Sequence, residues 1–269
     1  MRHVYSLLVY LLTPLLLGYI LVRGLSDRRW WSRLSERFGD FDATGRMHGI
    51  VVHAASVGEV NAAAPLIRAM LSRWPNLPVT VTCFTPTGSE RIRSLFGDAV
   101  YHVYVPFDLP GSVRRFFATL RPRLVVVMET ELWPNLFHRA EALDIPLLIS
   151  NARLTARSAR SWGRFPGLAA ATLRCATLIA AQDSNEAQRF VAIGADRDRT
   201  RVCGNLKFEI ALPPDLARQG QAWRARWGAQ RIVMVAGSTH EADERALLAA
   251  FARVRERNPE AMLVIAPRY

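Results

Sequence analysis

Four short stretches of this 269-residue chain place carboxylates, hydroxyls or a lone cation beside glycine or proline, each next to an apolar run. They are Ser56-Val57-Gly58-Glu59, Thr85-Pro86-Thr87-Gly88-Ser89-Glu90, Glu129-Thr130-Glu131-Leu132-Trp133-Pro134-Asn135 and Cys203-Gly204-Asn205-Leu206-Lys207-Phe208. In the first, Gly58 permits close backbone approach and Ser56 is placed to cap a helix. Glu59 then has two readings. It is a first-turn carboxylate favoured by the helix dipole, or a general base aimed into a cleft. In the second, the amides around Gly88 and Ser89 either hold an anion or are capped in the ordinary way. In the third, Glu129 and Glu131 stand two apart beside an apolar strand, where charge is costly unless paired or used. Such an acid can stabilise an oxocarbenium-like transition state, and Glu131 can equally cap a helix. In the fourth, Lys207 is the single lysine among 35 basic residues. A compact point charge, rather than the planar guanidinium fork, suits it to a site at a hinge.

Other chemistry finds less support. Asp40-Phe41-Asp42 and Asp196-Arg197-Asp198 have the form of metal-dependent nucleotide-sugar sites, but neither follows an apolar strand. Cys83, Cys175 and Cys203 are widely spaced and the six histidines scattered, His53 and His240 near strand ends among them. No metal site or disulfide framework is indicated, and a reducing compartment is expected. No GxGxxG or P-loop pattern occurs, which argues against a dinucleotide or ATP enzyme. Asn151 to Phe165 gathers Arg153, Arg157, Arg160 and Arg164 with Trp162 and Phe165. That stretch is either a solvated basic face or a contact for lipid phosphates.

The elements that must position these residues follow from hydropathy. Strands are expected at Ile50–His53, Val79–Phe84, Val100–Val105, Leu124–Met128, Pro146–Ser150, Thr177–Ala181 and Thr200–Val202. Amphipathic segments lie between them at Val60–Trp74, Gly88–Phe96, Gly111–Leu120, Leu132–Leu143, Ala156–Arg174 and Asn185–Ile193. This alternation predicts an α/β fold with a doubly wound parallel sheet. After a stiff stretch at residues 209–215 come a helix (Leu216–Trp227), a strand (Arg231–Ala236), a helix (Glu241–Arg257) and a strand (Met262–Ala266). One βαβ unit is too little to bury its own faces, so the second sheet is expected to be incomplete and the chain a fragment or naturally shortened.

Val4 to Val22 carries no charge, and at about 1.5 Å per residue its nineteen residues approach the thickness of a bilayer core. Arg2 precedes it, while Arg23, Arg28, Arg29, Arg33 and Arg37 follow. That asymmetry predicts a membrane anchor with the body on the cytoplasmic side, and Trp30 and Trp31 fall where interfacial aromatics belong. The alternative is a helix lying on the membrane surface or buried in the domain. The formal charge of +12, carried by 34 arginines and one lysine, suits anionic partners, and a genome biased toward arginine codons is the alternative source of the arginine-to-lysine ratio.

Seven stretches in register resemble one family. Ala55 to Glu59, Thr85 to Arg91, Pro106-Phe107-Asp108-Leu109-Pro110, Glu129 to Asn135, Asn151-Ala152-Arg153-Leu154, Gly204 to Phe208 and Ser238-Thr239-His240-Glu241 are similar to the 3-deoxy-D-manno-octulosonic acid (Kdo) transferases of lipopolysaccharide synthesis. The resemblance runs from the apolar N-terminus to the end of the chain. It implies a GT-B glycosyltransferase with two Rossmann-like domains, the second incomplete here. The expected division is 1–24 anchor, 25–48 basic juxtamembrane segment, 49–208 acceptor domain, 209–215 linker and 216–269 start of the donor domain.

It further implies inverting, metal-independent transfer of Kdo from CMP-Kdo to a lipid A precursor, lipid IVA, at the inner membrane. No cofactor or nucleic acid is implied. Glu59 matches the catalytic base, and Glu129 and Lys207 match the positions that stabilise the transition state. Pro267 and Arg268 match the start of the CMP-binding set, where Arg268 would pair with phosphate. Ser56, Gly58, Gly88, Ser89 and Arg153 are expected to line the substrate site. Tyr269 stands where the family has His, and the rest of the family's donor domain does not follow. Two other readings compete: a membrane-associated GT-B transferase using another nucleotide sugar, and an inactive, truncated lipid-binding fragment.

Overall fold

The structure, a computed structural model, describes residues 1–209 and 213–268. The expected linker positions Ile210 to Leu212, and Tyr269, lie outside the described residues. The chain divides into two units, residues 1–210 and 211–269.

The first unit is built on seven parallel strands: β1 (Ile50–His53), β2 (Val79–Cys83), β3 (Tyr101–Tyr104), β4 (Leu124–Met128), β5 (Leu147–Ala152), β6 (Leu178–Ala181) and β7 (Thr200–Val202). Their order is β3-β2-β1-β4-β5-β6-β7. The order reverses between β1 and β4, which pair in register from Ile50↔Leu124 to His53↔Val127. Loops leaving these two strands diverge, and that is where open α/β sheets hold ligands.

Alternate strand residues face opposite sides, which makes two cores. Ile50, Val52, Val79, Val81, Val126 and Met128 pack under α2 (Val57–Arg73) and α3 (Pro86–Phe96). The run Ala62-Ala63-Ala64 lets α2 lie close to the sheet, and all three are buried. Val51, Val103, Val125, Val127 and Ile149 face the other way, against α4 (Pro110–Leu120), α5 (Pro134–Glu141), α7 (Pro166–Arg174) and α8 (Ser184–Ala192). The expected single helix over 156–174 is two, α6 (Ala156–Gly163) and α7. Pro166 starts α7, and the clash of its ring with the preceding residue turns Phe165 out of the helical region.

Helix α1 (Arg2–Ser26) is long and apolar enough to cross a membrane. One stripe of it lies on the body: Tyr5, Val9, Leu16, Leu17 and Ile20 face Trp30, Phe107, Leu109 and Asp108. The opposite face leaves Leu7, Leu11, Leu15, Val22 and Leu25 exposed. A Cβ at Gly24 would stand 1.7 Å from the Trp31 indole nitrogen, so any larger residue there must displace the Trp31 ring.

The segment after α1 folds onto the body, which changes two expectations. Trp30 is buried rather than interfacial. Arg37 is fully buried, its guanidinium 4.2 Å from the Tyr104 ring and 4.9 Å from that of Phe84. It donates to the Phe84 carbonyl at 2.9 Å, so it serves the interior and not a membrane surface.

Asp108 shows how loops hold these helices. Trp133, the residue before α5, supplies no side-chain cap. Instead the buried Asp108 carboxylate accepts from the Asn135 and Leu136 amides at 2.9 and 2.8 Å and from the Tyr5 hydroxyl at 3.0 Å. Burial nevertheless pushes its carboxyl up to about 6. Folding therefore favours the protonated form, and this group's contribution to stability falls as pH rises through that window.

The second unit contains α9 (Leu216–Trp227), β8 (Val233–Thr239), α10 (Glu241–Arg257) and β9 (Met262–Pro267). The strands pair in parallel from Val233↔Met262 to Thr239↔Pro267, the βαβ unit expected. Its apolar residues stay largely open, with Val235, Leu248 and Trp223 exposed.

Candidate active site

Glu59 stands one turn into α2, directly after β1, at the reversal of strand order. Its carboxylate turns back on its own turn, accepting from the Ala55 amide at 2.8 Å and the Ser56 hydroxyl at 3.0 Å. Ser56 occupies the N-cap position, yet its hydroxyl makes no cap bond and serves Glu59 instead. Glu59 is 9% exposed. Burial raises its pKa, and the nearby Glu131 carboxylate adds to that, against the opposing pull of the Ala55 amide, His53 and Ser56. A Cβ on Gly58 would meet only the Ser56 hydroxyl, at 3.9 Å, so Gly58 itself faces open space.

Glu131 does not cap α5, a role Asp108 fills from the β3–α4 loop. It accepts from the Trp133 indole N–H at 3.0 Å, and its carboxylate lies 3.8 Å from His53 Nε2. Burial disfavours its charge, but His53 and the indole outweigh that and hold the carboxyl below its usual range. His53, the last residue of β1, is itself buried and bonded through Nδ1 to Thr82 Oγ1 at 2.9 Å. Its ring meets Trp133 edge-on at 6.0 Å. Sequence spacing passed over His53 because its partners come from other strands.

Glu129, directly after β4, has a left-handed φ of 53°, uncommon for a side-chain-bearing residue. Its carboxylate is 3.4 Å from the Lys207 ammonium. The Lys207 turn is fixed by a polar network at the neighbouring strand ends. Leu206 donates its amide to Asn151 Oδ1 at 3.0 Å, Asn205 bonds Gln182 at 3.0 Å, and Gln182 donates to the Asn151 carbonyl at 3.1 Å. Asn151 too is left-handed, with φ 52°. Gln182 carried no signal in the sequence beyond following β6.

The remaining expected residues are placed differently. The Gly88 amide is bonded to Thr85 Oγ1 and that of Ser89 to the Thr85 carbonyl, an ordinary cap. The Ser89 hydroxyl is buried between Arg33 and His102. Arg153 is exposed and acts on Glu186 of α8. Pro267 and Arg268 belong to the second unit, where the Arg268 amide donates to the Thr239 carbonyl at 3.1 Å.

One grouping lies outside all the motifs. Cys175 Sγ stands 3.2 Å from both His138 Nδ1 and Glu141 Oε2, close enough for the three to hold a small cation. Burial pushes the Cys175 thiol up to about 12, and the Arg2 and Arg174 charges beside it oppose a cation.

Among solved structures this chain is similar to nucleotide-sugar enzymes. A UDP-GlcNAc 2-epimerase from Neisseria meningitidis, bound to UDP-GlcNAc, matches 81% of this chain and 65% of its own at a TM-score of 0.53 and 15% identity. The epimerase from Methanocaldococcus jannaschii matches 82% and 66% at 0.51 and 14%. Identity this low speaks for fold alone. With the strand order, it defines an α/β fold with an open, parallel seven-stranded sheet.

Sequence comparison is more specific. A profile described as 3-deoxy-D-manno-octulosonic-acid transferase matches residues 32–210. A protein of that name from Haemophilus influenzae is 38% identical over the whole chain, and one from Bordetella pertussis 33%. The chain belongs to this Kdo transferase family. It spans 63% and 64% of the length of those two relatives.

Proposed function

We propose that the protein transfers Kdo from CMP-Kdo to a lipid A precursor such as lipid IVA, with inversion and without a metal. The observation that carries this reading is Glu59, a buried carboxylate of raised pKa at the reversal point of a GT-B sheet, in a chain of the Kdo transferase family. The acceptor hydroxyl oxygen forms the bond to the anomeric carbon of Kdo while the bond from that carbon to the CMP phosphate breaks. Glu59 takes the hydroxyl proton, and CMP leaves with the electron pair. A raised pKa suits this work, because a base is most effective when its pKa lies near working pH. Ser56 orients the carboxylate, and Gly58 leaves room for the sugar. Positive charge on the reacting ring is stabilised by Glu129, itself held by Lys207. Pro267 and Arg268 contribute to holding CMP, Arg268 through phosphate. Gly88 and Ser89 shape the neighbouring turn, and Arg153 borders the acceptor side.

Helix α1 holds the protein to the inner membrane with its body on the cytoplasmic side, where the anionic leaflet attracts the basic segment after the helix. The Tyr5 and Ser6 hydroxyls bond to Asp108 and Asn135 of the body, which favours a helix lying along the membrane surface over one projecting across it.

The test is turnover of labelled CMP-Kdo with lipid IVA. It compares this chain with a version extended by the carboxyl-terminal part of the Haemophilus influenzae relative. Transfer by the extended protein that Glu59→Gln abolishes supports the reading. Transfer from a UDP-sugar instead of CMP-Kdo would move the protein to another donor. An absence of transfer from either donor would leave a lipid-binding fragment.

A further inference from the structure

A cavity of about 490 Å³ opens where the first turns of α1 meet α4 and α5. Its charged lining is Arg2, Arg114 and Arg139, with His3 and His138 beside them; no carboxylate is among the lining residues, although Glu141 stands 3.4 Å from His138, whose charged form burial disfavours. Among the described residues, Arg2, Arg114 and Arg139 have no ion-pair partner, and the buried Arg139 Nε has no hydrogen-bond acceptor. Pro110 and Gly111, the first residues of α4, also line the cavity, and that helix has no side-chain cap. A helix start adds partial positive charge to a site already rich in guanidinium. Guanidiniums without ion-pair partners lining one concave site suit a phosphate monoester or diester.

The surroundings specify where that phosphate comes from. The other flank of the same α1 turns forms an apolar groove of about 420 Å³ with α6 and α7, lined by Val4, Leu8, Leu12, Trp162 and Phe165. Beyond it the outer face of α1 is exposed leucine and valine. A basic cavity beside an apolar, outward-facing helix matches the boundary between headgroups and acyl chains.

We propose that this cavity binds the phosphate of an anionic glycerophospholipid headgroup and so seats α1 on the bilayer. The proposal rests on α1 lying at the membrane surface, and it concerns a site separate from the one that carries Glu59.

The test measures sedimentation of the protein with vesicles of phosphatidylcholine alone and with one-fifth phosphatidylglycerol. Three forms are compared: wild type, Arg114→Gln/Arg139→Gln, and a control of equal charge, Arg197→Gln/Arg201→Gln, on exposed residues around β7. The cavity pair is expected to lose about thirtyfold in partition onto phosphatidylglycerol vesicles, on the scale of about 1 kcal/mol for each of the two basic residues at an anionic surface. The control pair should change by less than about threefold. Equal losses in the two pairs would mean diffuse attraction by the net charge and would overturn the proposal. Release of wild type by inorganic phosphate at constant ionic strength would assign the cavity to free phosphate and overturn it equally. Transfer to detergent-dispersed acceptor should be unchanged in the cavity pair, so loss of vesicle binding and failure of the transfer reading are seen separately. Thermal unfolding of all three forms checks that the fold is intact.

Discussion

Glu59 and Glu129 leave neighbouring strands at the same end of one sheet, yet their settings oppose each other. Glu59 is buried beside Glu131, and its negative form is disfavoured. Glu129 is paired with the ammonium of Lys207, which stands half open to solvent. A carboxylate buried beside a like charge and a carboxylate set against a cation occupy opposite environments. The reversal of strand order brings both to one edge of the sheet. The backbone differs as well. Glu59 sits in a relaxed first helical turn, whereas Glu129 is held at a left-handed φ that a side chain normally avoids.

Removing the proton acceptor should have the largest effect. Glu59→Gln preserves shape and the bond from the Ala55 amide, with the Ser56 hydroxyl turning to accept from the new side-chain NH2, and should lower kcat by about 10²–10⁴-fold. Far-ultraviolet circular dichroism should be unchanged. Near-normal turnover in this variant would remove Glu59 from the chemistry and leave it a helix-start residue. Next in size, Lys207→Ala should cost about 10–100-fold in kcat/KM, on the scale of a lost charge-stabilising contact. Lys207→Arg should fail to restore full activity, because a planar fork does not replace a point charge. Full rescue by Arg would show that only net charge matters.

Glu129→Gly separates strain from function. Relief of the left-handed backbone gains about 1 kcal/mol. Added freedom in the unfolded chain offsets it by a similar ~1 kcal/mol. The melting temperature should therefore hold within a few degrees, while kcat/KM falls by about tenfold with the ion pair gone. A large loss of stability with activity retained would make Glu129 a structural residue.

Much of this arrangement was visible in residue order, for a physical reason. Parallel strands buried on both faces read as unbroken β-branched runs, so Val79–Cys83 and Leu124–Met128 stood out. The turns after them then had to lie at one sheet edge. What stayed hidden were contacts made across strands. His53 gains meaning only from Thr82 on β2 and Glu131 after β4. Cys175 and His138 meet although they are 37 positions apart. Trp30 and Arg37 misled for another reason. An aromatic and an arginine after an apolar helix form the same pattern whether lipid or protein covers them, and here the Phe84, Tyr104 and Phe107 cluster does. The break at Pro166 was readable, since the residue before proline resists the helical region.

The smallest effect is also the most discriminating. Burial comes first among the causes that raise the Glu59 pKa, and repulsion by Glu131 is the part a single substitution can remove. Glu131→Gln keeps an oxygen acceptor for the Trp133 indole but deletes the charge. Glu59 is then easier to ionise, so the acid limb of the kcat/KM profile should move to lower pH. The reverse follows for His53→Asn, which deletes a group that favours ionised Glu59 and should move that limb to higher pH. Peak activity should change by less than about tenfold in each, because neither side chain is the proton acceptor. The opposed signs carry the weight of the test. A merely structural loss would lower the whole profile without displacing it. Displacement in the same direction in both variants would place the titrating group elsewhere in the cleft.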